Sequence, residues 1–332
     1  MLTKLFKSNS IFSFGILIIL SIVLWAKAFI NVPVLAEFVP SSPLYHLVIN
    51  LVKDFPIITG VFTIFLIVFE AILINNILIE NELIQRNSLI AAFVFIIINS
   101  FFVDLINFNP VLFAYLFIII ALRLVFRIYE DKDAYSTAFN IGTLLSVASM
   151  FYFPSFIFII FLWVVFIVYR LYTWREWVIV FIGFVIPYVF LGTYYFLNDS
   201  LSSKFSFYKE SIRFINLNDY SSNIHIKTVF IFLSLLMILS VFKLLSIINE
   251  KAIKTRKFLS VMIWFLIFDL ICLNISRNYE VLGFLMMFIS VSILLSLYLN
   301  FLKKAIIAEG VLIAILVLLI FGRLGLFDVF KI

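Results

Sequence analysis

Carboxylates interrupt a chain that is otherwise mostly apolar. Glu37 stands alone in VPVLAEFVP, Asp54 closes LVKDFP, Asp104 lies in FFVDLINFNP, Asp269 in FDLICLNIS and Glu280 in SRNYEVLGF. His46, Asn107, Asn109, Arg277 and Tyr279 accompany them. Carboxylates beside an imidazole, amides and a guanidinium are the parts of acid–base chemistry. Loops collect such groups anyway, so three details carry the weight. Asp104 sits in a connection too short to need much solvation. Glu37 has apolar neighbours on both sides. Arg277 falls between two long apolar runs.

These residues must be positioned by a membrane-embedded scaffold. The 332 residues are 65% hydrophobic and 13% charged, with mean hydropathy +1.23. Soluble domains are about 45–50% apolar and about 25% charged. A spanning helix needs about 20 mostly apolar residues. By that criterion the runs at 11–28, 57–79, 88–103, 110–128, 135–152, 155–170, 177–196, 228–248, 258–275, 281–300 and 306–322 predict about eleven spans. The fold class expected is all-α: a polytopic transmembrane helical bundle forming one integral domain over 1–332, with no soluble domain attached. The first run is long and lacks a small-residue cleavage site, so it reads as a span and not as a signal peptide.

Lys and Arg set the orientation. With the amino terminus inside, fifteen of the 24 basic residues face the cytoplasm, and four of the others lie in or beside the long loop 197–227. The positive-inside rule is weakest in long loops. The amino terminus is therefore expected to be cytoplasmic and the carboxyl terminus outside. The net charge of +6 is modest, and in a membrane protein basic residues report orientation and lipid headgroups before nucleic acid. None of the short inner connections holds a glycine-rich phosphate loop, which argues against ATP-driven chemistry. The single Cys272 makes neither an internal disulfide nor a metal site. His46 and His225 are the only histidines, too few for a four-histidine iron centre.

The outer side carries two larger features. Residues 29–56 form a first outer loop. In it Pro43 opens a short amphipathic helix, with Leu44, Leu47, Val48, Leu51, Val52 and Phe55 at helical spacing and His46, Asn50, Lys53 and Asp54 opposite. Too short to span, it is expected to lie flat in the interface. Residues 197–227 mix aromatics with Lys209, Glu210 and Arg213 and predict another interfacial segment. At the inner surface, Trp174 and Trp177 flank Arg175 and Glu176, as aromatics do at headgroup level.

Charges inside the bilayer need a reason, since each costs about 2.5–3.5 kcal/mol on insertion scales. Glu70 and Arg123 each lie 13 residues past the start of a span, which predicts an ion pair between those helices. Asp269 and Lys27, each near the outer end of a span, are expected either to snorkel or to pair with each other.

The runs IAAFVFIIINS, FYFPSFIFIIFLWVVFIVYRLYTWREW and SRNYEVLGFLMMFISVSILLS resemble an uncharacterised family of polytopic bacterial inner-membrane proteins. The layout also resembles the GT-C superfamily of glycosyltransferases, which take sugars from polyprenyl-phosphate donors. Those enzymes carry an acid in the first outer loop, often a further acid in the second, and often a late segment with Arg and Tyr. The resemblance implies Glu37 and Asp104 as the catalytic acids, acting as general base on an acceptor hydroxyl or helping to hold a divalent metal. It implies Arg277 and Tyr279 as the groups that bind the lipid phosphate of the donor. Two other readings stand beside it. One is a non-catalytic membrane subunit that scaffolds an envelope assembly. The other is a transporter or lipid flippase, which would show broken helices and polar sites at the midplane.

Overall fold

The structure, a computed structural model, describes residues 6, 11–26, 42–52, 55–102, 108–130, 134–202, 204–205, 208, 224–275, 280–302 and 304–323. Its main helices are α1 (Ile11–Leu24), α2 (Pro43–Val52), α3 (Pro56–Glu80), α4 (Ile90–Asn99), α5 (Pro110–Arg127), α6 (Ala134–Phe151), α7 (Phe158–Tyr169), α8 (Trp174–Leu197), α9 (Ile224–Ile247), α10 (Ile253–Ile275), α11 (Glu280–Phe301) and α12 (Ala305–Arg323). No strand occurs among the described residues. Among the described residues seven helices, α3, α5 and α8 through α12, are long and apolar enough to cross a membrane. The other expected spans form shorter or less apolar helices. α4 has 10 residues and continues only through the 3-10 turn Ser100–Phe102.

Proline and asparagine set the helix starts. Pro56 and Pro110 occupy first-turn positions, where a missing N–H costs nothing. Asn109 caps α5, its Oδ1 accepting from the Leu112 N–H at 3.0 Å. α7 stops at Arg170, which takes a left-handed conformation with φ 63° and releases the chain into the next connection.

The shortest of the core helices is the most enclosed. Every residue of α4 is buried, as an all-apolar helix requires of its surroundings. Beside it, 94% of the apolar stretch of α11 is buried, against 11% for α8. α8 is instead fastened along one line to α6. A Cβ at Gly142 would overlap the Val180 carbonyl oxygen, and one at Gly183 would run into the Phe139 carbonyl. Backbones that close need small residues at the crossing.

The spans alternate in direction, so the bundle has two ends. Glu80, Arg123, Glu130 and Lys254 mark one, the ion-paired end. Trp25, Tyr45, Ser100, Phe108 and Arg323 mark the other, the elbow end.

Two expectations are corrected here. Arg123 does not meet Glu70. Its Nε and Nη2 donate to the two carboxylate oxygens of Glu80 at 3.0 and 2.5 Å. Equal counts from the two helix starts gave the wrong level because α3 has 25 residues and α5 only 18. The Glu80–Arg123 pair aligns their far ends, so Pro110 begins about 16 Å deeper than Pro56 at 1.5 Å per residue. Asp269 does not snorkel; it is fully buried, while Lys27 lies outside the described residues. On α2, Tyr45 and Ile49 are buried, whereas Leu47 and Leu51 are exposed. An exposed leucine row fits a helix that lies in the interface.

Candidate functional site

The elbow end is assembled by side chains that clasp the connection between α4 and α5. α2 supplies Tyr45, buried to 1% exposure. Its hydroxyl donates to the Phe108 carbonyl at 2.9 Å, and its ring packs on Phe108 and Phe113 with centroids 6.1 and 6.3 Å away. Burial pushes the Tyr45 phenol up, so it remains a donor throughout the neutral range. At the other side of the connection, Trp25 donates its indole N–H to Ser100 Oγ at 3.1 Å. Ser100 Oγ in turn donates to the Ile96 carbonyl at 2.7 Å. Arg323, at the last turn of α12, donates to the carbonyls of Leu24 and Ser100. Three separate chain segments thus converge on Ser100 and Phe108, the two shoulders of the elbow.

Asp104 belongs to the segment 103–107 between those shoulders. It lies outside the described residues, as do Glu37, Arg277 and Tyr279. Their flanks are described. Asp104 is four residues from Phe108, Glu37 eight from Tyr45, and Arg277 two from Ile275. Of the accompanying residues, Asn109 has a structural duty as the α5 cap, and Asp54 and Asn107 are outside the description.

Beneath the elbow lies a second polar level. Glu70 on α3, Tyr115 on α5 and Asp269 on α10 are fully buried. Both oxygens of each carboxylate, and the Tyr115 hydroxyl, find no hydrogen-bond partner among the described residues. Tyr115 lies within electrostatic reach of Asp269, Glu70, Tyr152 and Cys272. Among the described residues no three His, Cys, Asp or Glu side chains converge closely enough to hold a metal ion. On α8, Glu176 is buried and Arg175 exposed, while Trp177 donates to the Leu171 carbonyl at 3.2 Å and stacks on Trp163. That motif is fastened into the fold.

One family pattern matches residues 1–328. The chain belongs to DUF6427, a family of unknown function. No curated protein and no solved structure matches it. For this DUF6427 member the site must therefore be read from geometry. Tyr45, Ser100, Tyr115 and Arg323 were not singled out from sequence. Tyr45 had a signal, the four-residue spacing to Ile49 on a short helix. Tyr115 had none, since a phenol inside an apolar run looks like one more aromatic.

Between the helices the structure also leaves apolar clefts. One opens between α9 and α11 and is lined by Phe230, Leu233, Met237, Phe284, Met287 and Phe288.

Proposed function

We propose that this chain is a multi-pass enzyme of the bacterial inner membrane, with its elbow end outside and its amino terminus in the cytoplasm. In this reading it transfers a sugar from a polyprenyl-phosphate donor in the GT-C manner, through a bundle of about eleven spans. Glu37 and Asp104 serve as general base or share a divalent metal, and Arg277 and Tyr279 hold the lipid phosphate. One observation carries the reading: the Tyr45–Phe108 hydrogen bond, which seats the first outer loop on the second. In sequence, the two acids precede the residues that make that contact. At about 3.5 Å per extended residue, Glu37 is tethered within roughly 28 Å of Tyr45 and Asp104 within roughly 14 Å of Phe108. Arg277 follows the end of α10 at the same end of the bundle. A donor that arrives through lipid suits a site at the membrane surface with no nucleotide-binding loop.

The test is transfer in vesicles. Purified protein reconstituted with radiolabelled polyprenyl-phosphate sugars should release free polyprenyl phosphate, and Asp104→Asn should abolish that release at unchanged protein abundance. Full activity in the variant contradicts the assignment.

A second reading, a non-catalytic subunit that scaffolds an envelope assembly, draws on α8. Its exposed Phe190, Tyr194, Phe196 and Leu197 offer a broad apolar face to lipid or to a membrane partner.

A further inference from the structure

We propose that Glu70 and Asp269 form a proton-binding pair within the membrane-embedded bundle, at the level of Tyr115. This stands independently of the transferase reading and uses none of its residues.

Two registers place the three groups at one level. α5 and α10 run antiparallel, with Phe126 and Phe258 in contact at a centroid distance of 4.6 Å. Eleven residues along each helix toward the elbow end lead to Tyr115 and Asp269. Phe265 confirms the line on the way, since it shares a small cavity with Ile118 and Leu122. α3 and α5 run parallel, and the Glu80–Arg123 pair sets their offset at 43 residues. That offset puts Glu70 level with Phe113, two residues from Tyr115.

Among the described residues, the surroundings supply no counter-charge. α1 and α4, packed near α3, carry no titratable side chain within their helical spans. On α5, Arg123 is drawn to Glu80. Facing Tyr115 are Tyr152 beyond the end of α6 and Cys272 on α10. The lysines and arginines of α10, Lys254, Arg256 and Lys257, lie at the ion-paired end. α11 turns both the hydroxyl and the backbone N–H of Ser290 toward Asp269, yet the hydroxyl donates to the Met287 carbonyl at 3.0 Å and neither oxygen of the acid makes a hydrogen bond among the described residues. α2 contributes Tyr45, which is committed to Phe108, and His46.

Carboxylates in such a place call for a cation. A metal ion needs converging ligands and room. Here three acidic or thiol ligands do not converge among the described residues, and Glu70, Tyr115, Asp269 and Cys272 are each packed to 0% exposure. A proton needs one oxygen and no cavity. Bound to a carboxylate, it cancels the charge and leaves a neutral carboxyl that needs no counter-charge. Each acid takes up one proton from water, and no electrons move.

Infrared spectroscopy of the wild-type protein in lipid vesicles reads the occupant directly. At neutral pH a protonated-carboxyl C=O band is expected, unchanged by sodium. Glu70→Gln and Asp269→Asn should each remove part of it, and the double variant should remove all of it. Absence of the band, its persistence in the double variant, or its loss on adding sodium overturns the proposal. Should the variants fail to fold, wild-type protein treated with dicyclohexylcarbodiimide and mapped by mass spectrometry decides. Adducts at Glu70 and Asp269 at least tenfold above Glu80 and Glu130 support the pair, and labelling confined to Glu80 and Glu130 contradicts it.

Discussion

Glu70 and Glu80 lie ten residues apart on the same helix, and their settings are opposites. Glu80 reaches the ion-paired end, about half exposed, and holds Arg123 through two hydrogen bonds. Nearby, Glu130 pairs with Lys254, again partly in solvent. Glu70 is fully buried toward the elbow end with no hydrogen bond among the described residues, and Asp269 likewise makes none there. Exposed pairs of the first kind are worth about 0–1 kcal/mol, because water screens them and ordering two long side chains costs entropy. A buried acid with no partner works against stability. The ion-paired end therefore looks like ordinary maintenance of a helix bundle. The elbow half keeps groups that folding alone would have discarded, and it is there that chemistry should be sought.

That contrast can be broken or sharpened in four ways, beginning with the largest effect. Transfer activity should fall by at least ~10²-fold in Asp104→Asn, the scale of a lost general base, while Glu80→Gln leaves it unchanged. An equal loss in both variants would erase the functional difference between the ends. Next, Glu70→Met should stabilise the protein by about 1–3 kcal/mol, because a similar apolar volume replaces orphaned oxygens. Denaturation in detergent measures this, and a destabilisation would mean that Glu70 has a partner. Third, Tyr45→Phe should cost about 1–2 kcal/mol by leaving the buried Phe108 carbonyl without its donor. It should also raise protease sensitivity in the first outer loop. The smallest effect belongs to the other end. A double-mutant cycle of Glu80→Gln with Arg123→Gln should show coupling of about 0.5 kcal/mol that fades with salt. The same cycle run between Glu70 and Arg123 should be additive.

Much of the scaffold was legible in the chain. Pro43 and Pro110 open helices where they were expected to, and Pro56 opens another, because proline tolerates only the first turn. The long apolar runs became helices, since a backbone in lipid must satisfy its own hydrogen bonds. Level and facing were not legible. Helices that are apolar all round have no preferred face in sequence, so the full burial of α4 and the 11% burial of α8 look alike before packing. Depth suffered in the same way. Counting from each helix start paired Glu70 with Arg123, whereas side-chain packing had sunk the start of α5 by about three turns. The candidate site was legible as a set of interruptions, Glu37, Asp104, Arg277 and Tyr279. The clasp beside it was not, because Tyr45, Trp25 and Ser100 meet their partners through contacts 63 and 75 residues apart in sequence.

The central claim is that the first and second outer loops meet over the elbow and bring their acids together. It is tested most directly by cross-linking Glu37→Cys to Asp104→Cys on a Cys272→Ser background, which removes the only native thiol. A short bis-maleimide added from outside intact cells should join the two positions within one chain, as read by mass spectrometry of the digested protein. Labelling of both thiols without a link, or labelling only from the cytosolic side, would contradict it.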